Sequence, residues 1–329
     1  MKIGITFAGQ GAQYSGMGKD LYDTYPAAKA IFDMAGEQVK EWCFEGDEET
    51  LKQTHVTQPC IYTVTMAAYE AFLQALEQAG LKDDVQIIGY AGFSLGEYAA
   101  LTAAGVIDEI KTGMEIVTKR GKLMNEAGTG PDGKPMGAMA AAMGKREPIL
   151  EVVEEAREDG ILEGVNFNSP AQTVVAGDKP SIERFVQAAK AKKIRAMVLP
   201  VGTAFHSPMM VPAAKELKSV LREAGVGAPQ AKIYANVTAE DMMKDFDGGD
   251  VCEYLADIMS RQAMSPVYWE ETIRNFVRDG AEALIEIGPG KTLSGLAKKT
   301  DSSIARFNIE NEESLQQTIE GLAALKKGE

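Results

Sequence analysis

The sequence predicts an α/β protein: a large unit built on a parallel sheet, with a smaller strand-and-helix unit inserted near its middle. Three observations carry this. Strand-like and helix-like segments alternate along the chain, the pattern of a sheet covered on both faces. The early strand-like segments, 3–8 and 85–91, are largely continuous apolar runs, as expected of strands buried on both sides. The loop Gly128-Thr129-Gly130-Pro131-Asp132-Gly133-Lys134-Pro135 then breaks the alternation before a run of shorter elements in a different order.

Taken in order, residues 3–8 form the first strand, followed by the glycine-bounded loop Gly9-Gln10-Gly11-Ala12-Gln13 and helices to about residue 80. Helical periodicity is clear over 64–79 and 107–126, with the strand 85–91 between them. After the punctuated loop, 136–143 reads as strand, 147–159 as helix, 164–168 and 173–176 as strands, 180–191 as helix and 194–199 as strand. That β-α-β-β-α-β order is the ferredoxin-like split unit. A helix over 209–224 resumes the first pattern, and 233–237 and 283–287 read as further strands, the latter closed by Gly288-Pro289-Gly290. The large unit is therefore expected over 1–128 and 201–329, with the small one over 129–200. A cleft between two such units is a favoured place for a ligand.

Composition narrows the function classes. At 329 residues and 45% hydrophobic content the chain can bury a large core and a small one. A formal charge of -14 argues against nucleic acid or an anionic membrane as partner, since no Lys/Arg cluster supplies a local basic field. The three cysteines, Cys43, Cys60 and Cys252, are widely spaced and suggest neither a zinc site nor a disulfide framework. No metal or redox cofactor is indicated. The N-terminal apolar run is too short for a secretion signal and no stretch approaches the roughly 20 residues of a bilayer span, so a cytoplasmic protein is expected.

The chemistry centres on Gly92-Phe93-Ser94-Leu95-Gly96, which follows a buried strand and precedes the helix-forming run Glu97-Tyr98-Ala99-Ala100-Leu101. A serine with glycine at both second neighbours, between a strand and a helix, is the pattern of a nucleophile elbow. The glycines let backbone segments approach closely, and the helix start turns free N–H groups toward the serine. A serine hydroxyl needs a base in reach. Only His55 and His206 exist to serve it. His206, in the loop Thr203-Ala204-Phe205-His206-Ser207-Pro208 beyond the inserted unit, is the better placed, because loops at a cleft edge carry most catalytic groups.

Six segments resemble, in order and spacing, the malonyl-CoA:acyl carrier protein transacylases: Phe7 to Gln13, Gly92 to Glu97, Lys119-Arg120-Gly121, Phe205-His206-Ser207, Arg261-Gln262 and Gly288-Pro289-Gly290-Lys291. The similarity spans nearly the whole chain and implies an α/β-hydrolase-like large domain with an inserted ferredoxin-like one. It implies ping-pong transfer of a malonyl group from malonyl-CoA to Ser94, then to the phosphopantetheine thiol of acyl carrier protein. Under the resemblance His206 is the general base, and the backbone N–H groups of Gln10 and Leu95 form the oxyanion hole. Arg120 holds the malonyl carboxylate, the Gln262 carbonyl orients the histidine in place of an acid, Arg195 beside Lys193 meets coenzyme A phosphate, and Asn166 with Asn168 lines the cleft. It further implies a monomer without a cofactor of its own. Phe205 matches the malonyl-selecting pattern, and Lys291, Lys298 and Lys299 are candidates for a basic carrier-docking patch on an acidic protein. One position departs: most members have histidine before the serine, where this chain has Phe93.

Three rival readings share some of these features. A serine hydrolase has the elbow but normally an acid between serine and histidine, and no use for Arg120. A non-catalytic carrier-docking protein would be a decayed version of the same site. A discrete acyltransferase serving polyketide carrier domains keeps the chemistry and changes only the pathway.

Overall fold

Strand β1 (Lys2–Phe7) lies inside the parallel one of two four-stranded sheets in the computed structural model, which describes residues 1–327. It pairs in parallel with β2 (Gln86–Gly92) on one side and with β7 (Ala283–Ile287) on the other, and β7 pairs in parallel with β8 (Ala305–Ile309). The order is β2-β1-β7-β8. Ile3, Ile5 and Phe7 project into the main core, while the opposite face meets Phe276 and Leu284, so near that a Cβ on Gly4 would lie 2.5 Å from the Phe276 ring. Both faces are covered, which explains the unbroken apolar reading of β1 and β2.

The periodic segment beginning at residue 64 is the second half of a longer helix, Thr54–Gln78. Its first half is buried nearly all round, so it shows no amphipathic stripe to read. Two features depart from the sequence reading. Residues 233–237 do not form a strand: Ile233 makes one parallel bridge to Tyr90, after which the chain turns back on itself through Ala235 and Ala239. Strand β8 was not foreseen, because an edge strand with half-exposed side chains (Ala305-Arg306-Phe307-Asn308-Ile309) lacks the apolar run of its buried neighbours.

The second sheet is antiparallel, in the order β4-β5-β3-β6, from β3 (Gly137–Met143), β4 (Leu162–Ser169), β5 (Gln172–Asp178) and β6 (Arg195–Val198). Helices Arg146–Arg157 and Lys179–Ala191 cover one face through Ile149, Val152, Val153, Ile182 and Phe185, giving the ferredoxin-like arrangement. The other face, Met139, Ala141, Val165 and Val174, packs on Ala204 and Phe205, immediately before His206. The antiparallel sheet is tied to the segment before helix Trp269–Arg278 at β4, where Phe167 N–H donates to the Val267 carbonyl at 2.9 Å and Val267 N–H to the Val165 carbonyl at 2.8 Å. Arg146 adds ion pairs to Glu270 and Glu271 at 3.1 and 2.6 Å.

The turn after β7 lies against the loop after β1. Gly288 has φ 120°, and a Cβ there would sit 2.6 Å from Thr65 Oγ1 and 2.8 Å from the Ala8 Cβ. Buried Glu286 fixes this turn from behind: its carboxylate accepts the Leu293 and Ser294 N–H groups at 2.9 and 2.7 Å, at the start of helix Thr292–Thr300. Burial pushes its carboxyl above the ordinary value, opposed by those two N–H groups. Replacing Glu286 by Ala should therefore lower the unfolding free energy by about 2 kcal/mol, the scale of a lost helix cap plus buried donors left unpaired. Urea denaturation measures this, and an unchanged midpoint would contradict it.

Candidate active site

Strand β2 ends at Gly92, and within four residues the chain has reversed into helix Gly96–Ala103. The turn is tight enough that a Cβ on Gly92 would lie 1.9 Å from the Gly96 carbonyl, and one on Gly96 would lie 2.2 Å from the Phe7 carbonyl oxygen. Only glycine fits either position. Ser94, between them, has φ 51°, a left-handed backbone that costs a non-glycine residue of order 1–3 kcal/mol and must be held by its surroundings. Its Oγ lies 2.8 Å from Nε2 of His206 and 3.2 Å from Nη2 of Arg120.

His206 is buried on the loop before helix Val211–Ala224, and its own N–H donates to the Ala263 carbonyl at 3.1 Å. Nδ1 lies 2.9 Å from the Gln262 carbonyl oxygen, the partner the resemblance implies. A carbonyl can only accept, so Nδ1 carries the proton and Nε2 is left to accept from the Ser94 hydroxyl. Burial, helped by the Arg120 charge, lowers the imidazole pKa to about 4. His55 is exposed at the start of helix Thr54–Gln78, so of the two histidines His206 is the one against Ser94.

Arg120, on helix Ile110–Ala127, is 1% exposed and has no carboxylate in contact among the described residues. Nη1 donates to Gln58 Oε1 at 2.9 Å and Nη2 to Gln262 Oε1 at 3.0 Å, while Nε has no partner among the described residues. The Tyr98 ring lies 5.2 Å from the guanidinium carbon. A buried cation whose hydrogen bonds among the described residues all go to neutral acceptors, with the Glu97 carboxyl acting on it only through space, favours whatever carboxylate arrives in contact.

Four polar groups around this cluster were not assigned a role from sequence: the side chains of Gln58, Glu97, Asn236 and Gln262. Glu97 is 2% exposed and its Oε1 accepts the Asn236 N–H at 2.6 Å. Burial raises its carboxyl to about 7, against the pull of the Asn236 N–H and the Arg120 charge. The Gln262 amide donates to the Ser94 carbonyl at 2.6 Å, and Asn236 reaches the same turn. Glu97 could have been suspected as an acid inside an apolar helix start. Gln58 and Asn236 leave no local signal.

The Gln10 loop lies on the elbow: a Cβ on Gly9 would sit 2.5 Å from the Phe93 carbonyl oxygen. The N–H groups of Gln10 and Leu95 have no acceptor among the described residues. Asn166 and Asn168 are buried on β4, with Asn166 Nδ2 and Asn168 Oδ1 unpartnered there. Arg195 is exposed on β6 beside a groove of about 200 Å³ lined by Ala141, Met143, Gln172 and Met197, and makes no contact with the Ser94 cluster. Lys291, Lys298 and Lys299 are exposed on helix Thr292–Thr300 and its preceding residue. Phe93 meets Trp269 edge-on at 5.3 Å, and the buried Trp269 Nε1 has no acceptor among the described residues. Among those residues no group of three or more His, Cys, Asp or Glu could hold a metal ion, and no helix is long and apolar enough to cross a membrane.

A family profile described as the acyl transferase domain matches residues 6–324. The chain belongs to this acyltransferase family. Among curated relatives, the malonyl CoA-acyl carrier protein transacylase of Bacillus subtilis is 37% identical over 328 residues, 98% of this chain and 97% of the relative. Among solved structures, the malonyl CoA-acyl carrier protein transacylase of Clostridium perfringens matches with a TM-score of 0.88 and 34% identity, covering 99% of this chain and 98% of that one. A malonyl-transacylase solved in complex with its type II polyketide synthase acyl-carrier protein matches at a TM-score of 0.85 and 34% identity, covering 98% of this acyltransferase and 100% of that chain.

Two of the site's shifted groups, His206 and Glu97, give opposite pH dependences. His206 is folded with a pKa of about 4 against an ordinary 6.5, so its contribution to stability is complete above 6.5 and is lost as pH falls toward 4. Glu97 is folded near 7 against an ordinary 4.5, so its contribution is complete below 4.5 and is lost as pH rises toward 7. The unfolding free energy of Glu97→Gln relative to the unaltered protein should therefore shift in the variant's favour between pH 4.5 and 7. Denaturant titrations across that window test this, and a constant difference would contradict it.

Proposed function

We propose that this acyltransferase passes a malonyl group from coenzyme A to the phosphopantetheine thiol of an acyl carrier protein through an ester on Ser94, as an [acyl-carrier-protein] S-malonyltransferase of fatty acid biosynthesis. The observation that carries this reading is the buried Arg120 guanidinium, 3.2 Å from Ser94 Oγ and without a carboxylate of its own in contact. A malonyl thioester supplies that carboxylate and sets its carbonyl beside the hydroxyl.

In the first half-reaction His206 Nε2 takes the Oγ proton as Oγ attacks the thioester carbon. The negative charge that forms on the carbonyl oxygen is received by the unpartnered Gln10 and Leu95 N–H groups. The C–S bond then breaks, and the leaving coenzyme A thiolate takes the proton from Nε2. The second half runs in reverse: His206 removes the proton of the carrier thiol, sulfur attacks the ester carbon, and Oγ leaves and recovers the proton. An imidazole pKa of about 4 leaves His206 free to accept at neutral pH. Orientation by a carbonyl rather than a carboxylate adds no negative charge beside an anionic substrate. That choice, with Arg120, favours transfer over the serine hydrolase reading.

Around this centre the remaining roles follow. Residues 1–128 and 201–329, of which 328 and 329 lie outside the described residues, make up the large domain and 129–200 the small one, with the pantetheine arm in the cleft between them. Asn166 and Asn168 offer their free polar atoms to the arm, and Arg195 its charge to coenzyme A phosphate. The exposed lysines 291, 298 and 299 offer a basic face to an acidic carrier. The protein acts as a cytoplasmic monomer with no cofactor of its own. Supply of malonyl groups to polyketide carriers is the second reading, favoured by the likeness to a transacylase solved with a polyketide carrier.

Intact mass after brief exposure to malonyl-CoA should show one malonyl adduct that is absent in Ser94→Ala and moves to added phosphopantetheinylated carrier. In Arg120→Ala the rate of adduct formation should fall about 10²-fold, the scale of a lost buried charge pair. An adduct lost to water as fast as to the carrier would contradict transfer. Phe205, packed between the main core and the small sheet, restricts space beside the substrate. Methylmalonyl-CoA should acylate Ser94 at least about tenfold more slowly, and comparable rates would contradict that role.

A further inference from the structure

The turn at Ser94 is strained, and besides the Gln262 amide on the Ser94 carbonyl it is held by a group that is neither the nucleophile, the base nor the carboxylate-binding arginine. Asn236, 0% exposed, donates from Nδ2 to the Gly92 carbonyl at 2.7 Å and accepts the Ser94 N–H on Oδ1 at 2.9 Å. One side chain thus brackets residue 93 from both ends. The task needs a donor and an acceptor fixed on one carbon, which among short side chains only asparagine supplies. Aspartate would set an oxygen against the Gly92 carbonyl, and alanine would release both ends.

Asn236 is itself fixed through its main chain. Its N–H donates to Glu97 Oε1 at 2.6 Å, and its carbonyl accepts the Tyr268 N–H at 3.0 Å, next to Val267, where the small sheet joins. Glu97 lies in the first turn of the helix that starts at Gly96. The elbow, that helix, Glu97 and Asn236 therefore close a ring of contacts. Inside the ring is Leu95, whose free N–H lies in the same peptide plane as the Ser94 carbonyl; the Gln262 amide holds that carbonyl at 2.6 Å, and Asn236 fixes the two peptide planes before it.

We propose that Asn236 is a positioning residue of the elbow: anchored by Glu97, it fixes the peptides before Ser94, holds Ser94 in its left-handed backbone and, with Gln262 on the Ser94 carbonyl, aims the Leu95 N–H at the charge that forms during acylation. This rests on the reading of Ser94 as the acyl acceptor. Arg120 makes no hydrogen bond to Asn236: it is held by Gln58 and by Gln262 Oε1, and the two sites meet only through the Gln262 amide nitrogen, which donates to Asn236 Oδ1 at 3.3 Å.

Single-turnover acylation of Ser94 by malonyl-CoA, followed by intact mass for wild type, Asn236→Asp and Asn236→Ala and scaled to the folded fraction, separates the possibilities. The maximal rate should fall about 10²-fold, the cost of misplacing an oxyanion donor. The half-saturating malonyl-CoA concentration should move by about threefold or less, because Arg120 keeps its own contacts to Gln58 and Gln262. In wild type, hydrogen exchange should be slow at the Ser94 amide and fast at the Leu95 amide. Wild-type rates in both variants, a loss shared equally by rate and half-saturation, or Ser94 exchange as fast as Leu95 would overturn the inference. If either variant fails to fold, the exchange contrast decides. If wild type takes up no malonyl group while that contrast holds, the transferase reading fails and the clamp stands.

Discussion

The Arg120 guanidinium, buried and bonded only to neutral acceptors, is the group on which the site's other properties depend. Its contacts to Gln58, Gln262 and Ser94 set three elements around one charge: helix Thr54–Gln78, the end of helix Val251–Gln262, and the elbow. Its field helps keep His206 unprotonated and draws the buried Glu97 partly back toward its charged form. A cation in this setting costs free energy unless an anion completes it. The proposed reaction supplies that anion as part of the substrate, which turns an electrostatic cost in the free protein into selectivity for an acyl group carrying a carboxylate.

Close backbone packing is the second constraint, and it fixes where the charge acts. Gly92, Gly96 and Gly9 each stand where a Cβ would overlap a neighbouring carbonyl, so β1, β2, the elbow and the Gln10 loop form one block. Gly288 extends it to the turn after β7, and Glu286 anchors that turn in the helix behind. Two unpartnered N–H groups, Gln10 and Leu95, are thereby carried on main chain that has little room to move. Side chains do not have to be ordered at the moment of reaction, which is the advantage of a preorganised donor pair.

What could be read from the sequence follows the range of each signal. The elbow was legible because its glycines and its serine lie within five residues, and the ferredoxin-like unit because each of its elements has its own period. The fold class was legible for the same reason. Asn236 was not, since its partner Ser94 lies 142 residues away and nothing near residue 236 marks it. Gln58 was hidden similarly, inside a helix half buried on every side. The apolar run 233–237 misled because a strand needs continued pairing, and here the chain leaves β2 after one bridge to bring Asn236 under the elbow. Arg195 could be placed by resemblance on the small domain's edge, but its distance from the Ser94 cluster is a property of the assembled fold alone.

The buried Arg120 cation, hydrogen-bonded to neutral groups and without a carboxylate in contact among the described residues, is what selects the substrate. Calorimetric binding of malonyl-CoA and acetyl-CoA to Ser94→Ala, which cannot turn either over, tests it most directly. Malonyl-CoA should bind at least about tenfold more tightly, since a charge-assisted pair with a desolvated guanidinium adds well over 1 kcal/mol. Equal affinities would mean that Arg120 does not receive the acyl carboxylate, and would contradict the account.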